Sequence, residues 1–186
     1  MKKLFILTIV CLFCMVLGTN NPCSADSIGS VTWKNPTKIR IYIPPNDKNT
    51  EKMKQACHKW STMTNNGIVF IYEKSAANAN IKVVFVNEIK DVLKNYPNAA
   101  GLTIHTSSNG QMENATIYIA SHVNKVRLLN GKVYKTMLHE LGHAIGLEHS
   151  SKPYSIMYPN LDAVTSTSMH ISKEEIDTLS KMYNWK

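Results

Sequence analysis

The stretch LHELGHAIGLEHS, residues 138–150, gathers three of the chain's seven histidines, His139, His143 and His149, together with Glu140, Gly142 and Gly146. On an α-helix, positions four apart share a face, so His139 and His143 can present their imidazoles to one point. Gly146 can take the left-handed conformation that ends a helix, which reverses the chain and returns His149 to the same point. Three neutral imidazole nitrogens at about 2.0–2.1 Å from one centre, with a fourth position open, is how a catalytic zinc ion is held. Glu140 stands next to the first histidine, placed to reach a water at the open position without ligating the metal. Gly142 leaves room between the two helical histidines and costs some helix stability. A lone His-x-x-x-His pair on a helix can be surface decoration or a packed core pair. Here His139, Glu140, His143, Gly146 and His149 are fixed at once, on a helix whose Leu138, Leu141 and Ile145 are core-like, and that argues for the metal.

The elements that must carry this site can be read from periodicity. Residues 37–43, TKIRIYI, alternate apolar with polar and are closed by Pro44 and Pro45, a strand and its stop. From 50 to 63 the apolar Met53, Ala56, Cys57, Trp60 and Met63 recur every three or four positions, one face of a helix that ends near Asn66 and Gly67. Cys57 lies in that stripe and reads as a packed thiol. Residues 68–72, 81–86, 100–105 and 115–120 bring the strands to about five. A second helix is expected over about 132–145, and a third begins at Ser172, where SKEE has the form of a capping box. The order reads as an α+β fold with one twisted mixed sheet of about five strands and three main helices.

With 186 residues, 44% hydrophobic and 18% charged, the chain has the size and mix of one globular domain. Its amino terminus differs. Lys2 and Lys3 precede a mainly apolar run from Leu4 to Leu17, shorter than the ~20 residues a membrane helix needs but suited to a secretory signal. Cys23 and Ala25 occupy the small-residue positions of a cleavage site, so residues 1–25 read as signal peptide and 26–186 as the domain; Val16 and Gly18 offer an earlier cut. Cleavage after Ala25 leaves Cys57 alone of four cysteines, so the domain must be stable without a disulfide. The formal charge of +8 comes from scattered lysines with no aromatic-interleaved basic stripe, which speaks against nucleic acid as a partner.

The motif resembles the signature of the metzincin zinc proteases, His-Glu-x-x-His-x-x-Gly-x-x-His with a downstream methionine turn. Met157, in SIMYP, stands eight residues after His149. Gly142, Ser150 and Met157-Tyr158-Pro159 are similar to the matrixin group within it, and the helix, strands and last helix after residue 50 resemble that group across the mature domain. The resemblance implies a metzincin-like catalytic domain, one catalytic Zn2+ held by His139, His143 and His149, Glu140 as general base, and Gly146 and Met157 supporting the site. It implies main-chain contacts to substrate from Leu102 and Thr103, and a specificity pocket walled near Pro159 with Lys135 on its floor, shortened to favour medium apolar side chains; a solvent-facing lysine is the competing reading. Where animal matrixins carry a histidine for a second, structural zinc, this chain has Ile104. His105 is adjacent but faces the other way on a strand, so a single zinc is expected, with calcium left open. The implied protein is a secreted, extracellular monomer, with some attraction to cell walls, that cuts protein or peptide substrates and has no stable membrane anchor. The alternative from another class is a secreted zinc-binding module that engages a surface partner without cutting it.

Overall fold

The computed structural model describes residues 31–160 and 169–185. The signal peptide read at residues 1–25, with Cys11, Cys14 and Cys23, lies outside the described residues. The elements run β1 (Ile39–Tyr42), α1 (Thr50–Met63), β2 (Phe70–Tyr72), β3 (Ile81–Val86), β4 (Gly101–Ser108), β5 (Gln111–Ala120), β6 (His122–Val123), β7 (Val126–Arg127), α2 (Asn130–Ala144) and α3 (Lys173–Met182). Five strands form one sheet in the order β2-β1-β3-β5-β4. The pairs β1/β2, β1/β3 and β3/β5 are parallel and β4/β5 is antiparallel, so the sheet is mixed, as the sequence implied.

Alternation along the strands divides the apolar residues between two faces. Ile39 and Ile41 of β1, Ile81 and Val83 of β3, and Ala115, Ile117 and Ile119 of β5 join Met53, Ala56, Cys57 and Trp60 of α1 and Met137 and Leu141 of α2 in one core cluster. Cys57 is buried there, and desolvation pushes its thiol pKa far up, so it packs as a small apolar group. On the opposite face the segment between β3 and β4 covers the sheet with a second cluster of Ile89, Ala99, Leu102 and Ala120, with Ile104 packed against it. Gly101, Thr103 and His105 therefore turn toward α2, while Leu102 and Ile104 turn away from it.

Two differences from the sequence reading are instructive. Strands β4 and β5 run on past 105 and begin before 115, because Asn109 (φ 53°) and Gly110 (φ 72°) form a tight turn that closes them into a hairpin. Its outer half is polar apart from the buried Met112 and so carries no apolar alternation. A second hairpin, β6 with β7, was not foreseen; it turns at Asn124 (φ 50°) and Lys125 (φ 66°) and is too short for a periodic signal. The third helix forms its capping box as expected, Glu175 accepting the backbone N–H of Ser172.

The carboxyl-terminal half of α2 is held by three polar aromatic contacts. The Trp60 indole N–H donates to Leu138 O (2.9 Å), the Trp33 indole to Ala144 O (2.7 Å), and the Tyr183 hydroxyl to Ile145 O (2.9 Å). The last two satisfy carbonyls that a helix end leaves without an intrahelical partner. The result is a rigid helix end at the place where the histidines lie.

Candidate metal centre

His139 and His143 sit one turn apart on α2, and both are buried. After Ile145 the chain reverses at Gly146, whose φ of 102° is strained for any residue with a side chain; a Cβ there would also lie 2.4 Å from the Val31 carbonyl oxygen. This turn brings back His149, and the ring centroids of the three histidines lie 4.7, 5.2 and 4.8 Å apart. Their ligand atoms fall within 4.8 Å of one another, a cluster of metal-binding size.

The hydrogen bonds behind the rings decide which nitrogens face inward. Nδ1 of His139 lies 2.8 Å from Ile156 O, and Nδ1 of His143 lies 2.8 Å from Leu147 O. A carbonyl oxygen only accepts, so each Nδ1 carries the hydrogen and each neutral ring presents a bare Nε2 lone pair inward. Those two Nε2 atoms stand 3.0 Å apart. Two lone pairs at that distance repel unless a cation lies between them. A proton is disfavoured, because burial first and then the charge of His149 push the His139 pKa down to about 4, and burial foremost, then His139 and His149, drives His143 well below its usual value. The donor set therefore fits a metal ion, and carbonyls fixing the outer nitrogens are the usual support of such a site.

Gly142 serves a different purpose from the one its place between the histidines suggests. A Cβ there would lie 2.3 Å from Met157 Sδ and 3.3 Å from Trp60, so the space it vacates is filled by the methionine sulfur. Met157 is buried and follows Ile156, whose carbonyl orients His139. The turn bearing it is tied to the last helix: Ser155 Oγ donates to the Glu175 carboxylate and accepts the Met157 N–H at 2.9 Å.

Glu140 is buried beside the triad, and desolvation raises its pKa to about 8, against the opposing effect of a hydrogen bond from Thr103 Oγ1 to Oε2 at 2.7 Å. Sequence reasoning offered Thr103 for its main chain and missed its side chain. The signal was available in the alternation that puts Thr103 and Ile104 on opposite faces. Leu102 packs its side chain into the outer cluster. His105, also overlooked as a site neighbour, shares the inner face; it is buried, its Nε2 has no hydrogen-bond partner among the described residues, and burial lowers its pKa. Lys135 lies one turn before His139, partly buried, with its ammonium pKa lowered by desolvation. Pro159 is also partly buried, two residues beyond Met157.

The profile of the Matrixin family matches residues 30–184, nearly the whole described chain. The chain belongs to the matrixin family. Among its relatives are the macrophage metalloelastase of Oryctolagus cuniculus, 23% identical over 151 residues (78% of this chain, 32% of that protein), and metalloendoproteinase 1 of Glycine max, 25% identical over 187 residues (91% of this chain, 60% of that protein). Matrilysin of Rattus norvegicus is 44% identical over a shorter segment of 45 residues, 24% of this chain and 17% of that protein. This matrixin thus spans less than two thirds of the length of each of these relatives. Among its described residues no helix is long and apolar enough to cross a membrane.

Proposed function

We propose that this matrixin is a secreted zinc-dependent endopeptidase that hydrolyses peptide bonds in extended segments of extracellular or surface proteins. The observation that carries the reading is the pair of inward Nε2 lone pairs 3.0 Å apart, one residue from a buried carboxyl group. His139, His143 and His149 would hold the zinc; when bound, it supplies Lewis acidity toward the scissile carbonyl and acidifies the attacking water. Glu140 accepts the proton of that water and delivers it to the leaving amine. No covalent intermediate with the protein is required. Mere metal storage needs the histidines and has no use for a buried carboxyl group at this position.

Among the described residues strand β4 pairs with β5 alone, which leaves its other edge for an added strand. A substrate segment pairing there gains main-chain hydrogen bonds at Leu102 and Thr103 and lies beside Glu140. Gly146 and Met157 keep the triad in shape. Lys135 and Pro159 would bound the pocket that receives the residue after the cut, with the partly buried Lys135 shortening it.

The test is cleavage of a quenched fluorescent peptide library by the purified protein, beside a chelated sample and Glu140→Ala. Cutting that is lost in both controls supports the reading. Stoichiometric zinc with nothing cut would replace it by the non-proteolytic zinc-binding module. In the same library, leucine and very long side chains cleaved alike, unchanged by Lys135→Ala, would remove Lys135 from the pocket.

A further inference from the structure

Thr103 reaches the catalytic helix from the edge strand. Its hydroxyl lies 2.7 Å from Glu140 Oε2 and 3.0 Å from the Glu140 main-chain oxygen. The main-chain oxygen only accepts, so the single threonine hydrogen is shared between the two oxygens, with the shorter contact to Oε2. The threonine is fully buried, its β-branched side chain has little χ1 freedom, and its backbone is paired with Ile117 inside the long β4/β5 ladder. The donor is therefore anchored to the sheet, independent of α2.

A second contact closes the other side. A Cβ on Gly101 would lie 2.6 Å from Glu140 Oε1 and 2.7 Å from Glu140 Cγ, so the bare backbone of Gly101 forms a wall against the stem of the side chain. A free glutamate has three rotatable bonds and loses considerable rotamer freedom when fixed. Here a donor at Oε2 and a wall at Cγ fix it before substrate arrives, and Oε1 makes no hydrogen bond with the described residues.

We propose that Thr103 is a positioning residue for Glu140: its hydroxyl pins Oε2 and leaves Oε1 free to exchange the proton with water and leaving amine. The inference rests on Glu140 acting as general base. It gives β4 two tasks, pairing with the substrate backbone and holding the base that acts on it, so the base and the scissile bond are registered by one strand. A hydroxyl suits the task because it donates without offering a competing basic site.

The experiment compares wild type, Thr103→Val, Thr103→Ser and Glu140→Ala with zinc content measured for each. The isosteric valine removes the hydrogen bond and should lower kcat roughly tenfold or more with KM nearly unchanged, since the lost interaction serves the transition state. Serine keeps the hydroxyl and should stay within a few-fold of wild type. Crystal structures of the metal-free forms add a readout independent of turnover: the Glu140 carboxylate fixed in wild type, displaced or in two conformers in the valine variant. If valine does not fold, Thr103→Ala against Thr103→Ser supplies the same comparison. Equal losses in valine and serine, an unchanged or raised kcat in valine, or a change confined to KM would each overturn the proposal. A zinc-loaded wild type that cuts nothing would instead overturn the base assignment on which it rests.

Discussion

The contact between Gly142 and Met157 makes a prediction in which two sizeable effects oppose each other. In an exposed helix interior, replacing glycine by alanine stabilises by about 1 kcal/mol, and Gly142 lies within α2. Here the added Cβ would fall 2.3 Å from Met157 Sδ, where ordinary contact needs about 3.5–4.0 Å. The sulfur must retreat by more than 1 Å, into a core where Trp60, at 3.3 Å from the same Cβ, leaves little room. Overpacking of this kind costs roughly 1–3 kcal/mol, and it outweighs the propensity gain, for a net loss on the order of 1 kcal/mol. For a domain of this size that lowers Tm by about 2–4 °C. Retreat of Met157 also moves Ile156, whose carbonyl fixes His139, so zinc affinity should fall about tenfold, as when an outer-shell partner is lost. The assay is calorimetric melting of the metal-free protein with zinc titration by a competing chelator. Gly142→Ala in a Met157→Ala background should show the helix gain without the clash, so the two changes should be strongly non-additive. A single Gly142→Ala variant that melts higher than wild type and binds zinc equally well would refute the reasoning.

Glu175→Gln exchanges a carboxylate that accepts from Ser155 Oγ and the Ser172 amide for a group that offers one acceptor and one misplaced donor. The loss should be about 2 kcal/mol, read as a lowered denaturant midpoint, and a change below about 0.5 kcal/mol would mean that the turn beneath His139 does not depend on the last helix. Glu88 pairs with Lys90 and accepts the Lys125 amide at 2.5 Å, which holds its carboxyl below the usual range and tethers the β6/β7 hairpin. Because the folded value is depressed, its stabilisation is present above the unfolded value of about 4.3 and is lost as pH falls through the folded one. Melting temperatures of wild type and Glu88→Gln should therefore differ at neutral pH and converge in acid; a constant gap across that range would contradict the assignment.

What the sequence alone determined is what local spacing can encode. The four-residue step between His139 and His143, the glycine that ends their helix, the stripe from Met53 to Trp60 and the capping box at Ser172 all depend on residues within a turn or two of one another. Each appears in the structure within a few positions of where the spacing puts it. Contacts between distant segments were decided only by tertiary structure. That Gly142 makes room for Met157, that Thr103 touches Glu140 37 positions away, and that Trp60 donates to a helix carbonyl 78 positions away follow from how the sheet and helices pack. The same holds for the outer half of the β4/β5 hairpin, whose polar strands pair through an Asn-Gly turn without any apolar alternation to announce them. A helix fixes the relative direction of its own side chains through one repeating geometry. No such rule relates residues on separate elements, so the histidine cluster was legible in one dimension and the groups that hold it in place were not.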